Sequence, residues 1–101
     1  MKQRNVLFAP EARDDLFALY ERVSNKANTD TALRFIERIE KFCNGFDFAS
    51  ERGRSRDDIR QGLRIVGFEK RVTIAFIVSD KSVTILRVFY GGQNWEEKLD
   101  M

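Results

Sequence analysis

Eight residues, 83–90, constrain this chain more than any other stretch. They read Val-Thr-Ile-Leu-Arg-Val-Phe-Tyr, and Gly91 and Gly92 stop the run. All but Arg87 are β-branched, aromatic or leucine, which is the composition of a strand. Alternation puts Val83, Ile85 and Phe89 on one face with Arg87, and Leu86, Val88 and Tyr90 on the other. Apolar residues on both faces point to an inner strand that is covered, at least in part, on both sides. Arg87 needs a partner or solvent, because an unpaired guanidinium is costly to bury. Two readings stay open: an internal salt bridge that serves the fold, or a surface that binds something anionic.

An inner strand needs a sheet around it, and the rest of the chain supplies one. Residues 3–8, with Val6, Leu7 and Phe8, read as a short first strand. Pro10 suits the first turn of a helix, where a missing N–H is not needed. Glu11, Asp14 and Asp15 follow, near the positive end of that helix. Ala12, Leu16, Leu19, Tyr20 and Val23 then recur on one helical face. Residues 24–28 break the pattern and read as a short connection. A second helix starts at Thr29 or Asp30, either of which can cap it. Its apolar face is Ala32, Phe35, Ile36, Ile39, Phe42, Cys43 and Phe46, and Gly45 is placed to end it. Cys43, on that face, reads as a packed small hydrophobe.

Residues 48–58 form a polar, arginine-rich loop. Residues 62–68 and 71–79 are two further strands. The second places Val72, Ile74, Phe76 and Val78 on one face, and Thr73, Ala75 and Ile77 on the other. Glu69-Lys70 and Asp80-Lys81 are the turns of an antiparallel meander. The fold class is therefore α+β, of order β-α-α-β-β-β: a helix hairpin packed on a small, mainly antiparallel sheet, in a single domain over residues 1–101. One helix hairpin covers one face only, so an apolar groove is expected on the other. Residues 94–101 form a brief helix or a tail. Trp95 and Leu99, four apart, would share one side of such a helix. They either pack on the core or form a contact surface.

Composition excludes more than it identifies. At 101 residues the chain can bury one core. No apolar run approaches the ~20 residues of a membrane-spanning helix. A lone cysteine permits no internal disulfide, which fits a reducing cytoplasm. There is no histidine, so Ser-His and Cys-His dyads and His-based metal sites are impossible. No metal and no cofactor are expected, and catalysis would have to rest on Arg, Lys, Tyr or carboxylates. The formal charge of +2 is unevenly spread. Residues 52–71 hold Arg52, Arg54, Arg56, Arg60, Arg64, Lys70 and Arg71 against Asp57, Asp58 and Glu69, a net +4 that leaves −2 for the rest. Arginine's planar fork suits carboxylate and phosphate partners, so an acidic protein segment or a nucleic acid is a reasonable partner, and a solvated loop the plain alternative.

These residues carry a resemblance. Gly53, then Asp58-Ile59-Arg60-Gln61-Gly62-Leu63-Arg64, then Ile74-Ala75-Phe76, then residues 85–94 with Leu86-Arg87-Val88 and the glycine after Tyr90, resemble the ParE branch of the RelE/ParE toxin superfamily. Element order and size match along nearly the whole chain. The resemblance implies the toxin of a type II toxin–antitoxin module, held in a hetero-oligomer by a cognate ParD-like antitoxin. In that branch the usual target is DNA gyrase, bound and trapped on cleaved DNA. The RelE branch instead cuts messenger RNA in the ribosome.

Three functions follow: a gyrase-directed binding poison, a ribosome-dependent ribonuclease, and a toxin-fold protein that only binds its antitoxin. For the first, the target-binding residues are Arg60, Arg64, Arg87, Tyr90, Gln93, Trp95 and Leu99. Antitoxin acids would meet Arg52, Arg54, Arg56 and Arg71, and no sequence-specific nucleic-acid binding is expected. For the second, Arg64, Arg71 and Arg87 would stabilise the phosphorane charge and Tyr90 would assist proton transfer. Without histidine, such chemistry at neutral pH would rest on groups poorly matched in pKa, which ranks it below the first. Tyr90 stands where ParE-like chains often carry histidine, and Gln93 where they often carry arginine.

Overall fold

The computed structural model describes residues 3–91 and 95–99. A first strand, β1 (Asn5–Phe8), leads into helix α1 (Pro10–Lys26) and helix α2 (Thr29–Asn44). A two-residue strand, β2 (Arg54–Ser55), precedes the meander β3 (Leu63–Phe68), β4 (Val72–Val78) and β5 (Ser82–Tyr90), and a short helix, α3 (Trp95–Leu99), follows. The five strands form one sheet in the order β1-β5-β4-β3-β2. β1 runs parallel to β5, and every other pair is antiparallel. This is the expected α+β order, with β2 added inside the arginine-rich segment read as a loop. β5 is indeed an inner strand, between β1 and β4.

The helices differ from expectation at their ends. α1 runs on through Lys26, because Ser24, Asn25 and Lys26 tolerate a helix that Leu16 and Leu19 anchor on the core. Asn28, not Thr29 or Asp30, caps α2: its side-chain oxygen accepts the Thr31 N–H at 2.7 Å. Asn28→Ala should therefore lower stability by ~1 kcal/mol, as N-cap truncations commonly do, and a urea midpoint would show it. Gly45 does not turn left-handed. At φ −70° it continues into a single 3-10 turn over Gly45–Asp47, which buries Phe46.

The helix hairpin covers one sheet face. Ala12, Leu16 and Leu19 of α1 and Ile39 and Cys43 of α2 pack with Phe46 onto Val72, Ile74, Phe76, Val83, Ile85 and Val88. The ring of Phe46 lies 4.7 Å from that of Phe76, and both are fully buried. The opposite face is not left as an open groove. Leu63, Ile65, Ala75 and Phe89 form a second cluster there, and Ile59, Trp95 and Leu99 pack against it. The chain's own turn and terminal helix thus cover the apolar side that the helix hairpin leaves bare.

A bulge explains how β5 serves both clusters. Arg87 pairs with Ala75, but Ile85 pairs with the next residue, Phe76, so Leu86 is an extra residue with no partner on β4. The two-residue alternation changes phase at Leu86. Val83, Ile85, Val88 and Tyr90 face the helices, whereas Leu86 and Phe89 belong to the second face. This corrects the simple alternation, which joined Phe89 to Val83 and Ile85, and Leu86 to Val88 and Tyr90. At the other end of the meander, Glu69 and Lys70 turn with φ of 49° and 65°. That region disfavours side chains. A bidentate ion pair from Arg38 of α2 to Glu69, at 2.9 and 3.1 Å, holds the turn against the helix.

Candidate partner-binding site

The site begins where β1 stops. β1 pairs with only the first half of β5, from Ser82 to Ile85. Ala9 then gives its N–H to the Ile85 carbonyl at 2.9 Å, and Pro10 starts α1. Beyond Ile85, that edge of β5 has no strand beside it among the described residues, and open edges carry backbone groups that need partners. Asp15 of α1 supplies one. Its Oδ2 accepts the Val88 N–H at 2.9 Å. The same carboxylate takes Arg87 in a fork, from Nε at 2.7 Å to Oδ2 and from Nη2 at 2.9 Å to Oδ1. This hydrogen bonding raises the Arg87 pKa, with burial acting against it. Asp15 therefore replaces a missing strand and a missing counter-charge at once. The guanidinium of Arg87 also lies 5.0 Å from the centroid of the Phe89 ring. The internal salt bridge expected as one reading of Arg87 is present.

Beside this pair lies a cavity of about 200 Å³, lined by Ala9, Glu11, Arg60, Leu86, Arg87, Lys98 and Leu99. It joins three of the residues expected to bind the target: Arg60, Arg87 and Leu99. The remaining ones lie elsewhere. Trp95 is half-buried, beneath the Arg56 guanidinium at 5.3 Å, and lines a separate hollow with Gly53, Arg54 and Val66. Arg64 pairs with Phe76 on the helix side of the sheet and gives its Nε–H to the Arg52 carbonyl at 3.0 Å. It lines a polar cleft with Arg4, Glu51 and Asp57. Tyr90 faces the helices, edge-on to Phe35 at 6.1 Å with the Arg22 guanidinium 5.2 Å over its ring. Gln93 lies outside the described residues.

The four groups considered for phosphoryl chemistry do not converge. Arg71 and Tyr90 share one end of the sheet, where the Arg71 carbonyl accepts the Gly91 N–H at 2.8 Å. Arg64 lies four residues along β3 from Phe68, the residue in register with Val72 and Tyr90. At ~3.3 Å per residue, that is ~13 Å along the strand alone. Arg87 gives two of its five N–H groups to Asp15. Cys43 is fully buried, and burial pushes its thiol up to about 12, so it stays neutral and packed at neutral pH. Among the described residues, no group of three or more carboxylates or thiols is placed to hold a metal ion.

The arginine-rich segment divides by local chemistry. Arg52 lies over the rings of Phe42 and Phe46, at 5.4 and 4.8 Å, with its Nε–H on the Ala49 carbonyl. Arg56 forks onto Asp58 at 2.9 and 2.8 Å and reaches Glu96 of α3 at 3.4 Å. Arg54, Arg60 and Arg71 are exposed and make no ion pair among the described residues. Sequence reasoning named all of these arginines but missed Asp15, Glu11, Leu86 and Lys98. For Asp15 a signal existed. It falls three residues after Ala12 and four before Leu19, so it is an acid on the buried stripe of α1, opposite a lone arginine in an inner strand.

Two surface carboxylates contribute to the pH behaviour. Hydrogen bonds from Arg56 and Arg38 hold Asp58 and Glu69 below the usual carboxylate range. Such groups bind fewer protons folded than unfolded in acid. Their contribution is therefore present above the unfolded value, ~4 for either side chain, and is lost as pH falls through the lower folded value. With no histidine to titrate, the melting temperature should be flat between about pH 5.5 and 8 and should decline only below about 4. Thermal melts across that range check it.

Comparison with known proteins fits this fold. A family model described as the ParE toxin of the type II toxin–antitoxin system, parDE, matches residues 6–95. The chain belongs to the ParE toxin family, and is a toxin of the type II toxin–antitoxin class. A chain of the chromosomal ParDE system from P. aeruginosa superposes with a TM-score of 0.76, at 21% identity, over 88% of this chain and 97% of that one. A chain of the RelBE2 toxin–antitoxin complex from Mycobacterium tuberculosis superposes with a TM-score of 0.63, at 19% identity, over 92% and 97%. At these identities the two structures share the fold. No curated protein sequence matches the chain.

Proposed function

We propose that this toxin acts in the cytoplasm as a binding poison of DNA gyrase, with no chemistry of its own, and is neutralised by a ParD-like antitoxin. Membership of the ParE family over residues 6–95 is the observation that carries the reading. The scattering of Arg64, Arg71, Arg87 and Tyr90 supports binding over phosphodiester cleavage, which needs an acid and a base converging on one bond. The cavity beside Arg87 is the target-facing surface in this reading, since basic rims with an apolar floor combine steering and burial. An antitoxin partner is supported by the ParDE and RelBE2 origins of the similar structures. The guanidinium groups of Arg54 and Arg71, exposed and without an ion pair among the described residues, offer its acidic residues a landing place.

Expression of the chain alone tests this. A DNA-damage response with filamentation is expected, and purified protein should accumulate gyrase–DNA cleavage complexes. Arg60→Glu reverses an exposed rim charge. It should cut gyrase poisoning by ~10-fold or more while the melting temperature and antitoxin binding stay unchanged, because a charge-assisted contact is worth ~1.5–3 kcal/mol. Rapid arrest of translation with cut messenger RNA would instead make the chain a ribonuclease. Growth without any effect would leave it an antitoxin-binding protein only.

A further inference from the structure

We propose that the cavity between the start of α1, Arg60 and α3 receives the carboxylate of a glutamate or aspartate in a protein segment, with an aliphatic side chain beside it. The inference rests on the reading of this cavity as the target-facing surface, and names what that surface recognises.

Three observations carry it. The first is size. At about 200 Å³ the cavity falls below the ~300–1,000 Å³ of pockets that enclose small molecules and cofactors. It suits one inserted side chain. The second is the state of the arginines. Two of the five N–H groups of Arg87 go to Asp15, and its Nη1 group donates to no atom of the described residues. Arg87 is thus oriented before any partner arrives, which spares the ordering cost of binding. Arg60, in the same lining, is exposed and carries no ion pair among the described residues. Two such forks match a carboxylate in geometry as well as charge. The third is the mixed lining. Leu86 and Leu99 are the aliphatic part of the lining, and both pack on the second core cluster. An acidic group with aliphatic carbons beside it satisfies both parts.

Nucleic acid is the weaker fit. Phosphate backbones are held by a track of several cations. Here Glu11 lines the same cavity and Asp15 stands behind Arg87. The balance of Arg60, Arg87 and Lys98 against Glu11 and Asp15 is a net +1. That balances one carboxylate and leaves little positive charge for a polyanion.

The test is a titration of the intact protein, followed by methyl signals of Leu86 and Leu99 and Nε signals of Arg60 and Arg87. Three probes are used: a capped pentapeptide of alternating leucine and glutamate, the same peptide with glutamine for glutamate, and a short single-stranded DNA. The glutamate peptide should move all four residues. The glutamine peptide should bind ~10-fold or more weakly, and Arg60→Glu should weaken the glutamate peptide by a similar factor without changing the melting temperature. Equal binding of the two peptides, no shifts at millimolar peptide, or DNA moving the same signals at lower concentration would each overturn the inference. A gyrase-cleavage assay on the same preparation separates this from the proposed function. Gyrase poisoning without peptide binding removes the carboxylate and leaves the gyrase reading. Peptide binding without any effect on gyrase or growth removes the gyrase reading and leaves the cavity's ligand class.

Discussion

Gly53→Ala should destabilise this protein more than alanine at any other described glycine. Gly53 has a φ of +70°, and a Cβ added there would stand 2.1 Å from the Ile65 carbonyl oxygen and 2.8 Å from its carbon. Those atoms belong to backbone inside β3, paired on its far side with Ala75 of β4. They cannot move aside without breaking that ladder. Overpacking commonly costs ~1–3 kcal/mol, and a left-handed conformation adds ~1–2 kcal/mol for a residue with a side chain. A loss of ~3 kcal/mol or more is expected, which for a chain of this size lowers the melting temperature by at least ~12 °C. The damage should centre on β2, whose pairing of Arg54 with Ile65 follows directly on the glycine. Gly45→Ala is the control. Gly45 sits at φ −70° with nothing within 4 Å of an added Cβ. There alanine should stabilise by ~0.5–1 kcal/mol, by narrowing the unfolded ensemble. Equal melting temperatures for the two variants would show that the close approach of residue 53 to β3 is not a constraint on the fold.

The same glycine shows what the chain discloses before it folds. Gly53 stood out in the sequence only as part of a family resemblance. Its reason, a backbone passing against another backbone, depends on β2 pairing with β3, and two residues such as Arg54 and Ser55 leave no strand pattern. The long elements were legible because their periodicity is their packing. Val72, Ile74, Phe76 and Val78 face the helices as alternation requires. The phase change at Leu86 was hidden, because a strand with apolar residues on both faces reads much the same in either phase. The site was legible in part for a related reason. Arginine in an apolar strand announces itself, and so does a cluster of arginines. Which of them stay available is decided by tertiary partners: Asp58 and Glu96 for Arg56, two phenylalanine rings for Arg52, the Arg52 carbonyl for Arg64. Only Arg54, Arg60 and Arg71 of that cluster keep exposed side chains without an ion pair among the described residues.

Asp15→Ala is the second large effect, and it joins fold to site. The substitution leaves the Val88 N–H without its acceptor at a half-closed strand edge, and leaves Arg87 without its hydrogen-bonded counter-ion, with only the weaker influence of Glu11 to offset its charge. The side chains of Arg87 and Asp15 are 25% and 16% exposed, so water relieves part of the penalty. Breaking a fully buried pair costs ~3–5 kcal/mol, and here ~2–3 kcal/mol is expected. Asp15→Asn separates the two roles. An amide oxygen still accepts from Val88, but Arg87 loses its charged partner, so the loss should fall to about half of that for alanine. Replacing Arg87 by methionine in the Asp15→Asn background should recover stability, because a buried pair exchanged for apolar and neutral groups costs little. The coupling between positions 15 and 87 in such a cycle should reach ~1–2 kcal/mol, the range for groups in one hydrogen-bonded network. Denaturant titration of the four proteins measures it. Additive effects at the two positions would mean that Asp15 serves the strand edge alone. Arg87 would then owe its orientation to the Phe89 ring and to the cavity it lines.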